Sequence, residues 1–84
     1  MTSHTYKPPD GYVASAETAI QIALAVWEPI YGKDKIERQA PYRAELNGDV
    51  WTVRGSLLHD GPGGVALVEI AKDDGRILRV SHGK

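Results

Sequence analysis

Residues 18–32 read Thr-Ala-Ile-Gln-Ile-Ala-Leu-Ala-Val-Trp-Glu-Pro-Ile-Tyr-Gly, and no other stretch limits the fold as strongly. Ile20, Ala23, Leu24, Trp27 and Tyr31 recur at the spacing of one helical face. Ile22, Val26 and Ile30 widen that face, and from 19 to 27 only Gln21 is polar. A helix apolar over most of its circumference needs cover on more than one side. In a short chain that cover is a curved sheet, or a sheet plus a partner.

Both helix ends are marked. Ser15 suits the N-cap, and Glu17 puts a carboxylate in the first turn, at the positive end of the helix dipole. Pro29 inside a helix would delete a hydrogen bond and clash with the preceding turn, at about 3 kcal/mol. The spacing therefore predicts helix over 16–28, a kink, and one further turn ending at Gly32 in the left-handed conformation. Residues 33–41 read as a charged connector whose large apolar residue is Ile36.

From Tyr42 the period changes from 3.6 to 2. Asn47-Gly48 is a hairpin signal of type I′, and closing it pairs Ala44 with Trp51 and Tyr42 with Val53. Val65–Ala71 and 77–81 read as two more strands. A three-residue loop, Asp73-Asp74-Gly75, pairs Ile70 with Leu78, Val68 with Val80, Glu69 with Arg79 and Ala71 with Ile77. The expected fold class is α+β, one long N-terminal helix on a curved four-stranded antiparallel meander. Tyr42, Trp51, Val53, Val68, Ile70, Leu78 and Val80 face the helix, with Trp27 and Trp51 largely buried. The outer face mixes charge with Val50, Val65, Leu67 and Ile77, more apolar than a solvated face requires.

Length and charge narrow the function. With 84 residues and no internal repeat, the reading is a tail over 1–14 and a single domain over 15–84. A net charge of -1 with scattered Lys and Arg leaves no footprint for nucleic acid or an anionic membrane. The N-terminus lacks the apolar region of a secretory signal, and the longest apolar run falls short of the ~20 residues that span a bilayer. A cytoplasmic domain is expected. Without cysteine there is no disulfide, and His4, His59 and His82 are too scattered for a metal site. So small a domain gains from oligomerisation or a partner, and a homodimer through the outer face is one way to obtain it.

Catalytic signals are weak. His59-Asp60 could be an oriented base, but in a Gly/Pro-rich loop an exposed polar pair is the simpler reading. Gly63-Gly64 could present backbone N–H groups to an anion, yet it precedes a strand and fits tight turn geometry better. No catalytic residue, metal or cofactor is expected.

Several motifs occur together in order. They are Gly11-Tyr12-Val13, the 18–32 stretch with its Trp27-x-Pro29-Ile30-Tyr31-Gly32 ending, Pro41, and Trp51-x-Val53-x-Gly55. Gly63-Gly64-Val65 with Glu69-Ile70, Asp74-Gly75-x-Ile77-Leu78, and the His82-Gly83-Lys84 ending follow. Over about 11–84 the chain resembles the bacterial immunity proteins of nuclear-transport-factor-2-like fold, in a reduced, cystatin-like form of that cone. The resemblance implies a protein that binds and neutralises a cognate secreted toxin, protecting the producing cell and its kin, and it implies no catalytic residue. The alternative is a small-ligand-binding or enzymatic member of the same cone-shaped class, and a pocket between helix and sheet separates the two. The candidate partner-binding residues are Arg54, Glu69 and Arg79 on the outer sheet face and His59 and Asp60 on the adjoining loop. The competing reading is a solvated face whose Glu69–Arg79 pair contributes under about 1 kcal/mol.

Overall fold

The computed structural model describes residues 6–57 and 64–83. Helix α1 spans Ala16–Tyr31, helix α2 spans Lys33–Glu37, and strands β1 Arg43–Asn47, β2 Val50–Arg54, β3 Val65–Ala71 and β4 Ile77–Gly83 follow. The four strands form one antiparallel sheet in the order β1-β2-β3-β4. α1 lies across β1, β2 and β3.

The expected N-cap forms, the Ser15 hydroxyl accepting the Thr18 N–H at 3.2 Å. The expected helix over 16–28 and the further turn after Pro29 form one element, α1, which runs through Pro29 to Tyr31. Pro29 and Ala25 are both exposed, so the Ala25 carbonyl that loses its partner faces solvent. Gly32 has the expected positive φ, at 95, but its ψ of 142 lies outside the left-handed helical region, and the chain enters α2 directly. The connector thus carries a helical turn that buries Ile36 completely.

The first hairpin turns one residue later than Asn47-Gly48. Asn47 pairs with Val50, Leu46 with Trp51 and Ala44 with Val53, leaving Gly48 and Asp49 in the loop. A type I′ turn at Asn47-Gly48 needs positive φ at both, whereas here Gly48 alone has it, at 61. Each strand keeps its faces, because the pairing moves by two residues.

The β3–β4 turn also departs from expectation. The Ala71 N–H donates to the Arg76 carbonyl at 2.8 Å, making a four-residue loop, and Ile70 faces Ile77. Left alone, that slip would put every later side chain of β4 on the wrong face. A bulge restores the register, so that Val68–Val80 and Glu69–Arg79 pair as expected while Ile70–Leu78 and Ala71–Ile77 do not. Leu78, the extra residue, is 43% exposed instead of joining the core, and Ile77 moves to the row of Ile70.

The longer loop frees carbonyls that hold the segment ahead of α1. Lys72 O accepts the Val13 N–H and Asp73 O the Tyr12 N–H, both at 3.0 Å, and the Trp51 Nε1–H donates to Val13 O at 2.7 Å. Gly11 carries φ 88 there, and a Cβ on it would stand 2.6 Å from the Lys72 carbonyl oxygen. The layer between helix and sheet is filled by Val13, Ala19, Ala23, Trp27, Ile36, Trp51, Val53, Ala66, Val68 and Ile70.

Candidate partner-binding face

Strand alternation sorts the sheet into a face under α1 and a face away from it. On the outer side the register builds two rows of chemical interest. One runs Glu45, Thr52, Glu69, Arg79 and the next runs Arg43, Arg54, Leu67, Ser81. Three of the expected partner-binding residues, Arg54, Glu69 and Arg79, thus stand on one face. His59 and Asp60 lie outside the described residues.

The Arg79 guanidinium lies 3.8 Å from the Glu69 carboxylate, with the arginine side chain 61% exposed. A solvent-screened pair of this kind contributes under about 1 kcal/mol. Val50, Thr52, Val65 and Leu67 are half-buried between these charges, leaving apolar area within a charged frame. A depression of about 340 Å³ is lined by Arg54, Val65, Leu67, Arg79, Ser81 and His82, among others. A second, of about 470 Å³, is lined by Arg43, Ala44, Glu45, Thr52 and Arg54, which places Arg54 at the edge of both.

The glycines beside this face are structural. A Cβ on Gly64 would overlap the Gly83 backbone, so close strand approach accounts for that glycine. A Cβ on Gly55 would overlap the Gln39 side chain. Gln39 is buried and ties three elements together. Its Oε1 accepts the Ala66 N–H at 2.8 Å, which turns its amide nitrogen to His82 Nε2 at 3.1 Å. The amide donates, so His82 accepts on Nε2 and carries its proton on Nδ1. Burial, then the nearby Lys35, holds the His82 imidazole below its ordinary value. His82 is therefore a structural acceptor, packed at 5.0 Å against the Tyr31 ring.

The helix side is closely packed among the described residues. Trp27, Ile70, Val53 and Val68 are fully buried, and Tyr42 closes the side of the layer with its ring 6.1 Å from Trp27 and its hydroxyl donating to Ile36 O at 2.9 Å. The aromatic residues fill the concavity in which a cone-shaped fold would hold a small ligand.

Residues 18–84, a span that takes in α1 from Thr18 onward and the whole sheet, match the family described as NTF2 fold immunity protein. The chain belongs to that family. Two proteins of Escherichia coli (strain K12) are similar to it over 73 residues, 86% of this chain. Uncharacterized protein YhhH is 37% identical, with 58% of its length covered, and Uncharacterized protein YbbC is 34% identical, with 60% covered. The chain thus spans about three-fifths of the length of these curated relatives. No solved structure matches it. As an NTF2-fold immunity protein it has an α+β fold of one helix on a four-stranded sheet, and no helix among the described residues is long and apolar enough to cross a membrane.

Proposed function

We propose that this immunity protein neutralises a cognate protein toxin by binding it, through the outer sheet face that carries Arg54, Glu69 and Arg79. Family membership supports an immunity role, and the filled layer between helix and sheet favours surface binding over ligand capture. The observation that carries the choice of face is its composition, half-buried Val50, Val65 and Leu67 framed by exposed Arg54 and Arg79 on rigid strands. A preformed surface loses little entropy on binding, and the apolar centre supplies affinity while the charges set on-rate and partner choice. His59 and Asp60, which lie between β2 and β3 in the sequence, belong to the same proposal.

Co-expression with the toxin encoded beside the gene tests it. Arg54→Glu combined with Glu69→Arg abolishes protection and leaves the melting temperature within a few degrees of the parent. Full protection by that double variant moves the binding surface elsewhere.

A further inference from the structure

Arg43 of β1 and Arg54 of β2 are direct cross-strand partners on the outer face. Like charges placed opposite one another oppose strand pairing, and natural sheets usually set a carboxylate or a neutral residue there. Among the described residues neither arginine is in an ion pair, whereas Arg79, in the next row, has Glu69. Composition does not force the clash, since the chain has 11 Asp and Glu against 10 Lys and Arg. Both arginines line the larger depression, and Arg54 also lines the smaller one beside Leu67 and Val65.

We propose that Arg43 and Arg54 form a carboxylate clamp that receives an acidic segment of the protein partner. The inference rests on the toxin-binding reading of this face and names the chemistry the partner must present. Two adjacent guanidinium forks match two carboxylates in bidentate geometry, and their mutual repulsion is relieved only when those carboxylates arrive. The neighbouring row decides between an acidic protein and a nucleic acid. Glu45 and Glu69 lie in the next row, so a continuous phosphate backbone meets repulsion on leaving the clamp. A short acidic segment followed by apolar residues meets Leu67 and Val65 instead.

The probe is a hexaglutamate peptide with blocked ends, titrated into the full chain by NMR at low salt, with an oligothymidylate of matched charge as competitor. The expected result is peptide-induced shifts at Arg43, Arg54 and Thr52, erased by high salt, and at least a tenfold weaker affinity in the Arg43→Thr, Arg54→Thr double variant. Arg43→Thr alone raises the melting temperature of the free protein, because it removes the opposed charge and threonine suits a strand. Equal peptide binding by parent and double variant, tighter binding of the oligothymidylate, or a lowered melting temperature of Arg43→Thr each overturns the clamp. Protection assays separate the two readings. A double variant that protects like the parent overturns the clamp and leaves toxin binding standing, whereas a parent that fails to protect overturns toxin binding itself.

Discussion

Trp27 and Trp51 are buried in the same layer, but their indole N–H groups meet opposite environments. Trp51 donates to Val13 O, while Trp27 Nε1 is buried with no acceptor among the described residues. Losing one partner of a buried hydrogen bond costs about 1–3 kcal/mol, and removing an unpartnered donor costs none of that. Trp51→Phe is therefore expected to destabilise more than Trp27→Phe by about 1–3 kcal/mol, read as a gap in urea midpoints at equal slope. Trp51→Ala goes further, losing about 3–5 kcal/mol. The burial of both indoles was legible in the spacing of the apolar residues, and so was the Ser15 cap, because each depends on neighbours within a turn or an alternation. The Gln39 contacts were not. They join residues 43 and 27 positions apart, and no local pattern marks a glutamine whose amide satisfies a distant strand.

At the scale of elements, the departures from pattern come where one segment serves another. Pro29 is tolerated because it lies on the solvent side of α1, a fact about orientation that the residue type does not reveal. The β3–β4 loop takes four residues because its carbonyls hold Tyr12 and Val13, and the bulge at Leu78 then recovers the apolar register. Alternation correctly sorted the β2 and β3 side chains into two faces, but could not show where a loop would borrow a residue. Gly11 is the hinge of this arrangement. Gly11→Ala forces a Cβ into the left-handed region and against the Lys72 carbonyl, with an expected loss of about 2 kcal/mol or more. In a domain of this size that lowers the melting temperature by roughly 8 °C or more. A parent-like melting curve would detach the segment from the fold.

For the molecule as a whole, α2, β3 and β4 are tied together through Gln39 and His82, and that tie is sensitive to pH. The folded imidazole is held below its ordinary value, so the unfolded chain binds the proton more readily. Stability from this group is whole above about pH 6.5 and is lost as the pH falls through the folded-state value. Melting temperatures measured from pH 7.5 down to 5.5 should decline, and His82→Gln, which keeps an acceptor for Gln39, should flatten that decline. An unchanged slope in the variant would assign the effect to other groups. The candidate site was legible in part. Arg54, Glu69 and Arg79 share a face because the alternation of β2, of β3 and of β4 from Arg79 onward was read correctly, whereas Arg43 went unnoticed because its opposition to Arg54 depends on where the first hairpin turns.

The docking of the segment before α1 also governs the order in which the molecule assembles. Its partners are remote, Trp51 Nε1 meeting Val13 O across 38 residues and Lys72 Nζ reaching Asp10 O across 62, while the meander is built from near neighbours. Closing so long a loop costs entropy before any contact offsets it, so the hairpins form early and the N-terminal strap is laid down last. Contacts made after the folding barrier govern how fast a protein opens rather than how fast it folds. Trp51→Phe, which removes one of the hydrogen bonds that hold the strap, is accordingly expected to speed unfolding several-fold while leaving the refolding rate nearly unchanged in stopped-flow measurements. A slowed refolding limb would place the strap inside the nucleus. On this order of events a ribosome-bound chain can complete α1 but cannot close its layer until Lys72 has emerged, so the segment ahead of α1 is made before its partners and fastened after them.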